Sequence, residues 1–213
     1  MGLPIGVILL ILVAILIYFG VLHRVLDRMR LSDRAALAII VAMAAGSFVD
    51  VTLLRAPVQV RMNIGGGAIP IIAAIWLIAT ADEAEEKTGS ILTALVTGGV
   101  IYGLSKILSP DEQFMRISPM LVYGIAAGII AAVSGRSRRA AFIGGLGGMV
   151  LADIFHWIEL AVTGTPGSVF FGGAGAFDSS VISAILAVGL VELVGEAREK
   201  MVKTPGGGRE RGN

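Results

Sequence analysis

Long apolar runs separated by short charged segments recur along the whole chain. The runs occupy residues 3–22, 35–54, 64–81, 89–108, 117–133, 140–163 and 176–195. A helix needs about 20 predominantly apolar residues to cross the hydrocarbon core of a bilayer. The pattern therefore predicts an all-α integral membrane protein, a bundle of about seven transmembrane helices that forms a single domain over residues 1–196. Residues 197–213 are charged and glycine-rich, and we expect them to be a disordered cytoplasmic tail.

Lysine and arginine are unevenly distributed between the predicted loops, and this asymmetry predicts orientation. One side carries 13 of them: Arg24, Arg28, Arg30, Arg34, Lys87, Arg136, Arg138, Arg139, Arg198, Lys200, Lys203, Arg209 and Arg211. The other side carries 4: Arg55, Arg61, Lys106 and Arg116. Cytoplasmic loops are enriched in such residues. The counts predict an N-terminus outside, a C-terminus inside and a multi-pass protein of the cell membrane.

Composition removes several classes of protein. The chain of 213 residues is 55% hydrophobic, has a mean hydropathy of +0.85 and is only 15% charged, which is unlike a soluble globular domain. It has no cysteine, so thiol nucleophiles, thiolate metal sites and disulfides are excluded. No glycine-rich stretch precedes a Lys-Ser or Lys-Thr pair, so we expect no nucleotide chemistry. No nucleic-acid partner and no cofactor are predicted.

Glycine has two patterns in this chain. Pairs four residues apart, Gly99/Gly103, Gly124/Gly128 and Gly144/Gly148, predict close packing of helix backbones. Two clusters, at 63–70 and 171–177, are poorly explained in that way, because consecutive glycines destabilise a helix and Pro70 removes a backbone donor. Irregular backbone at membrane depth survives only where it is buried in protein or lines a cavity.

Two acidic residues lie inside the last two apolar runs. Asp178 follows the second glycine cluster, and Asp153 lies in the preceding run. An acid inside a span is energetically costly and usually faces the bundle interior, a water-filled cavity or a partner. Counted at about 1.5 Å per residue, both fall in the outer half of the bilayer, at a depth similar to Pro70. We therefore expect them to meet in one polar cavity that opens to the outside.

Two further polar residues are possible accessories to this pair. Asp50 shares a predicted helix face with Gly46 and Ser47, and either joins the cavity or pairs with Arg55 at the membrane surface. His156 follows Asp153 by three residues and is either a proton partner or an interfacial side chain beside Trp157. Hard cations accept carboxylate ligands, so a metal site formed by Asp153, His156, Asp178 and Asp50 is a minor alternative. The main interpretation of the sequence contains no metal site.

Two motifs resemble an uncharacterised prokaryotic membrane-protein family of unknown function. They are Asn-x-Gly-Gly-x-x-Ile-Pro at 63–70 and Gly-Gly-Ala-Gly-x-Phe-Asp at 172–178, together with Ala152-Asp153 in the preceding run. The resemblance covers most of the membrane region from Gly46 onward. It implies no assigned activity.

A more distant resemblance concerns the acids themselves. Asp153-Ile-Phe in one run and Gly175-Ala-Phe-Asp178 in the next are similar to the paired motifs of presenilin and signal-peptide-peptidase proteases. This resemblance implies that Asp153 and Asp178 are catalytic, and Gly67-Ala-Ile-Pro70 is similar to the substrate-docking proline motif of that family. The predicted substrate-binding residues are Asn63, Gly65, Gly66, Gly67, Pro70, Gly173 and Gly175.

Three functions remain open from the sequence. Two buried carboxylates that share one proton can activate water and protonate a leaving amine, as in an intramembrane aspartyl protease acting on a transmembrane peptide. The same pair can serve a transporter or channel coupled to a proton or small cation. In a non-catalytic membrane scaffold, the acids would only satisfy the glycine-rich backbone. The bilayer is the one partner common to all three, and the oligomeric state is not predicted.

Overall fold

The computed structural model describes residues 5–107, 119–135, 137–173 and 179–203. Within them the chain is mostly helical. The helices are α1 Ile5–Tyr18, α2 His23–Arg28, α3 Asp33–Gly46, α4 Ile69–Ala79, α5 Ala84–Ile107, α6 Pro119–Ser134, α7 Arg138–Thr163 and α8 Ser179–Lys203. A π-helical segment, Ile64–Ala68, leads into α4. The strands are β1 Asp50–Leu54, β2 Gln59–Asn63 and β3 Ser168–Phe171.

The three strands form one sheet, which corrects the prediction of an entirely helical protein. β1 pairs antiparallel with β2, and β2 pairs parallel with β3, in the order β1-β2-β3. The predicted helix over 35–54 is too long, because α3 ends at Gly46 and the last five residues of that run form β1. Hydropathy alone does not separate a short apolar strand from the end of an apolar helix.

α7 lies at the centre of the bundle, and its glycines let the neighbouring helices approach closely. A Cβ atom added to Gly144 would lie 2.2 Å from Cγ2 of Thr93, and one added to Gly148 would lie 2.5 Å from Cβ of Thr97. Both threonines are on α5. On another side of α7, a Cβ at Gly145 would lie 2.9 Å from the backbone of Ser183 in α8. Small residues at helix interfaces permit this separation.

Ion pairs collect at the two ends of the bundle. At one end, pairs join segments that the positive-inside pattern assigns to the same side: Arg30 with Asp82, Glu86 with Arg139, and Arg138 with Glu192. At the other end, beyond which the sheet lies, Lys106 of α5 pairs with Glu159 of α7. Among the described residues, the ion pairs therefore bring together loop segments that the charge pattern puts on one side of the membrane. Which end faces the cytoplasm stays a prediction.

α5 has its small and polar side chains inside and its large apolar ones outside. Its buried residues are Ser90, Thr93, Ala94, Thr97, Gly98 and Ile101. Its exposed large residues are Ile91, Leu92, Leu95, Val96, Val100 and Ile107. A helix on the surface of a water-soluble protein has the opposite distribution. Among the described residues, α5 and α7 are long and apolar enough to cross a membrane.

The C-terminal helix extends beyond the predicted end of the membrane domain. α8 continues to Lys203, past the boundary at residue 196 and into the segment expected to be a tail. Residues 204–213 lie outside the described part of the chain. The division into a membrane domain and a disordered tail stays a prediction.

Candidate functional site

Asn63 joins the sheet to the first glycine cluster. Its side chain is buried, with 3% exposed. Nδ2 donates to the carbonyl oxygen of Ser47 at 2.9 Å and to Oδ1 of Asp50 at 2.8 Å, while Oδ1 accepts from the backbone N–H of Gly66 at 2.9 Å. The last contact caps the π-helical segment, because it satisfies one of the backbone donors that the start of a helix leaves open.

The glycines of the two clusters pack backbone against backbone. A Cβ at Gly65 would lie 2.0 Å from the carbonyl oxygen of Met43, and one at Gly67 would lie 2.9 Å from the carbonyl oxygen of Phe171. Gly172 has φ +64°, which favours glycine, and its Cβ would lie 2.2 Å from the carbonyl carbon of Gly66. Glycine is required at these positions because three chain segments pack closely there: the end of α3, the π-helical segment and the residues at the end of β3. These contacts do not form the wall of an open cavity.

The remaining residues of the clusters differ in their surroundings. Pro70 is buried at the second position of α4, where a missing backbone N–H is tolerated. Gly173 is exposed, and a Cβ there would contact the ring of Phe170 at 2.9 Å. Gly175 lies outside the described residues. A substrate-binding role for any of them stays a prediction.

We expect Asn63→Ala to lower the free energy of unfolding by about 2 kcal/mol, because it removes the helix cap and leaves buried partners without their hydrogen bonds. Thermal unfolding of the purified protein in detergent measures this loss. Ser137→Ala is the matched control, since Ser137 caps α7 through one hydrogen bond to Ala140 and should cost about 1 kcal/mol. Equal losses in the two variants would contradict the role of Asn63 as a junction.

Asp50 is exposed and belongs to the sheet, so its predicted place on a helix face with Gly46 and Ser47 is wrong. Its carboxylate accepts from Arg61 Nη2 at 3.2 Å and from Asn63, and not from Arg55, the partner considered from the sequence. Arg61 in turn lies over the ring of Phe170, 4.4 Å from its centroid. These contacts link all three strands and hold Asn63 in position.

Other elements cover the face of α7 that contains Asp153, both before and after this residue along the helix. Residues seven apart share a helix face. Leu146, seven residues before it, packs with Ala74 of α4 and Ala184 of α8. Leu160, seven residues after it, packs against the sheet residues Val60, Val169 and Phe171. Asp153 itself is half-buried, and the residues of its helix face on either side of it pack against α4 and α8 in one direction and against the sheet in the other.

The position of α8 brings Ser179, the chain neighbour of the second acid, toward the level of Asp153 along the bundle axis. α7 and α8 are antiparallel, because Gly145 lies against Ser183 while Arg138 pairs with Glu192. From the level of Gly145 and Ser183, Asp153 lies about 12 Å along the bundle axis and Ser179 about 6 Å in the same direction. Ser179 is buried and is the first residue of α8. Asp178 itself lies outside the described residues.

His156 belongs to the ion-pair group at the sheet end of the bundle. Its Nδ1 lies 3.4 Å from Oε2 of Glu159, the same oxygen that Lys106 contacts. Lys106 also lies 5.0 Å from the ring centroid of Tyr102. Within the described residues, no group of three acidic, histidine or cysteine side chains is arranged to hold a metal ion. An accessory role of His156 in proton transfer stays a prediction.

Arg139 is a buried charge that the sequence did not identify. The distribution of positive charge predicts a loop position for Arg139, yet its side chain is 0% exposed. Nε donates to the carbonyl oxygen of Met29 at 3.1 Å, and Nη1 donates to Oε2 of Glu86 at 3.3 Å. The signal available was the position of Arg139 at the end of an arginine-rich segment, directly before the apolar Ala140 and Ala141, with acids grouped at 82–86 in another predicted loop of the same side.

The comparisons with known proteins give one match. A family described as "Protein of unknown function (DUF1614)" matches residues 18–190. This range contains both glycine clusters and both acids. No curated protein and no solved structure matches the chain.

Proposed function

We propose that this chain, which belongs to the DUF1614 family, is a multi-pass membrane protein that hydrolyses polypeptide segments with Asp153 and Asp178 as its acid pair. Asp153 carries the proposal, because residues of its helix face, seven positions before and after it, pack against α4 and α8 and against the sheet. The sheet leads into the first glycine cluster at Asn63, and α8 begins one residue after Asp178.

Membrane location is supported by the inverted pattern of α5. Large apolar side chains such as Leu92 and Val96 are exposed, while Thr93 and Thr97 are buried. Contiguous exposed apolar surface is uncommon on soluble monomers, whereas lipid-facing helices require it. α4 also has large apolar side chains that are exposed, Ile72 and Ile75. We therefore infer that the apolar helices shorter than α5 and α7 also lie in the bilayer.

A polypeptide substrate is supported by the sheet. Among the described strands, β3 lies at an edge of the sheet, and Asp178 follows Gly173 by five residues in the sequence. The backbone groups of an edge strand pair readily with an added strand. An extended polypeptide on the outer edge of β3 would pair with a strand that ends seven residues before Asp178 in the sequence. Hydrolysis requires such an extended segment, because helical backbone hides the scissile carbonyl group in its own hydrogen bonds.

The chemistry follows from two carboxyl groups that share one proton. The ionised carboxylate takes a proton from water, and the oxygen of that water attacks the carbonyl carbon of the peptide bond. The protonated carboxyl group then donates its proton to the leaving amine as the C–N bond breaks. Each acid changes protonation state once, so the pair holds a single proton again after product release.

The test is cleavage of a transmembrane peptide by the full-length protein in liposomes. Asp153→Asn and Asp178→Asn should each lower the rate by at least about 100-fold, the usual contribution of an acid or base. Asp82→Asn is the matched control, because Asp82 is exposed at the opposite end of the bundle. It should cleave at the wild-type rate. Cleavage that persists in both of the first two variants would refute the proposal.

A proton- or cation-coupled carrier is a second candidate, favoured by the π-helical segment before α4. Discontinuous helices are common at the binding sites of transporters. The tight packing of Gly65 and Gly67 against backbone is less suited to the wall of a pathway. Proton or cation flux in liposomes that lack peptidase activity, abolished by Asp178→Asn, would favour this candidate. A scaffold role predicts that the double Asn variant keeps its cellular phenotype.

A further inference from the structure

Tyr123 of α6 packs against the part of α7 that carries Asp153. The half-buried tyrosine lies against a buried apolar cluster that joins α5, α6 and α7 and consists of Ile101, Ala127, Met149 and Ala152. Asp153 directly follows Ala152 and comes four residues after Met149. Residues four apart lie on the same face of a helix. The ring of Tyr123 therefore packs against the cluster that contains both of these neighbours of Asp153.

Tyr123 and Asp153 also lie at nearly the same level of the bundle. A Cβ atom added to Gly144 of α7 would lie 3.4 Å from Cβ of Ala131 in α6. Going back along α6 from Ala131 to Tyr123, the packing moves forward along α7 from Gly144 to Met149, so the two helices are antiparallel. Counted from that contact at about 1.5 Å per residue, Tyr123 lies about 12 Å along the axis and Asp153 about 13–14 Å in the same direction.

The first turn of α8 is close to the same level. A Cβ atom added to Gly124, the residue after Tyr123, would lie 3.1 Å from the carbonyl oxygen of Ser179. Ser179 is the first residue of α8. Tyr123 therefore lies near both helices that contribute to the proposed site, α7 with Asp153 and the beginning of α8.

The other titratable side chains near the apolar cluster form a group of their own. Lys106 pairs with Glu159, and Nδ1 of His156 lies 3.4 Å from the same carboxylate. Tyr102, which also packs against the cluster, has its ring centroid 5.0 Å from Nζ of Lys106. In α6 and in the first two turns of α8, Tyr123 is the only titratable residue.

We propose that Tyr123 is a positioning residue whose hydroxyl group donates a hydrogen bond to the ionised carboxylate of Asp153. The hydroxyl group of a tyrosine with a buried ring usually has a hydrogen-bond partner, and Asp153 is the remaining titratable residue of α7 at this level. A hydrogen bond to the charged form of a carboxyl group favours that form. The inference rests on the proposed function and assigns a role within it. Asp153 takes the proton from water, and the shared proton is on the other acid when the water attacks.

The first test detects the contact without a cleavage assay. The full-length protein is prepared in lipid nanodiscs with 3-fluorotyrosine at its three tyrosines, and fluorine NMR follows each resonance through the pH range in which carboxyl groups titrate. The Tyr123 resonance should shift in this range, and Asp153→Asn should remove the shift. Tyr102 is the matched control, since Glu159→Gln and not Asp153→Asn should change its titration. Tyr18, which is 78% exposed, is the solvent reference.

The second test measures peptide cleavage in liposomes as a function of pH. Tyr123→Phe removes only the hydroxyl group, so Asp153 should accept a proton at a higher pH than in the wild type. The acidic limb of kcat/KM should move up by about one pH unit, as for loss of one hydrogen bond to a charged group. The plateau rate should fall far less than the about 100-fold expected for loss of an acid or base. Tyr102→Phe loses a hydroxyl group at the same cluster and should leave the limb in place.

The two tests separate the role of Tyr123 from the proposed peptidase activity. A Tyr123 resonance that shows no carboxyl titration, or one whose titration persists in Asp153→Asn, would overturn the inference. An acidic limb that does not move in Tyr123→Phe would overturn it as well. If the NMR titration depends on Asp153 but the protein cleaves no peptide, the contact is supported and the peptidase function fails.

Discussion

Gly65→Ala should be among the most damaging single substitutions in the chain, with a loss of about 3 kcal/mol or more in the free energy of unfolding. The new Cβ would lie 2.0 Å from the carbonyl oxygen of Met43 and 2.4 Å from the backbone nitrogen of Ser47. Both neighbours are backbone atoms, which cannot rotate away, so α3 and the π-helical segment must separate. Thermal unfolding in detergent, together with the yield of monodisperse protein, measures the effect.

The matched control for this substitution is Gly99→Ala in α5. A Cβ at Gly99 has no neighbour within 4 Å, and alanine is a better helix former than glycine. We expect Gly99→Ala to be neutral or to stabilise the protein by up to about 1 kcal/mol. If Gly65→Ala unfolds at the temperature of the wild type, the close packing of the first glycine cluster is not required for the fold.

Arg139→Ala is expected to lower the free energy of unfolding by about 3 kcal/mol, at the lower end of the range for a broken buried pair. The substitution leaves the carbonyl oxygen of Met29 without its donor and the carboxylate of Glu86 without its cation. Glu86 keeps 20% of its side chain exposed, which limits the penalty. For a chain of this size the loss corresponds to a decrease of about 6–12 °C in the unfolding temperature.

Two further variants separate burial from charge in this prediction. Arg30→Ala removes the cation of the Arg30–Asp82 pair, whose side chains are 47% and 73% exposed, and should cost less than about 1 kcal/mol. The double variant Arg139→Met, Glu86→Gln removes both buried charges and should recover much of the stability lost in Arg139→Ala. An Arg30→Ala variant as unstable as Arg139→Ala would contradict this account.

The glycine pairs show how far a sequence pattern can be interpreted. The pairs Gly124/Gly128 and Gly144/Gly148 are the points at which α6 contacts α8 and α7 contacts α5. Gly99/Gly103 has the same spacing but faces open space. Spacing places two residues on one face of a helix, whereas the position of the neighbouring helix determines whether that face is covered.

The predicted site illustrates the same limit. The sequence identified Asn63 and the two glycine clusters as unusual for a helix, but it gave no reason for them. The structure supplies one, because Asn63 caps the π-helical segment and Gly172 packs against Gly66. It also moved Asp50 from a helix face to a strand, where Arg61 and not Arg55 is its partner. These contacts join residues far apart in the chain, which no local pattern specifies.

By itself, the sequence determined the mostly helical character of the chain, the apolar lengths of α5 and α7 and the candidate acids, because hydropathy and charge are properties of the residues themselves. Only the tertiary structure decided that the end of the second apolar run is β1, that Arg139 is buried and that α7 packs against α4 and α8 at Leu146 and against the sheet at Leu160. Burial and pairing depend on which segments meet. That outcome is a sum of packing and electrostatic free energies over the whole fold.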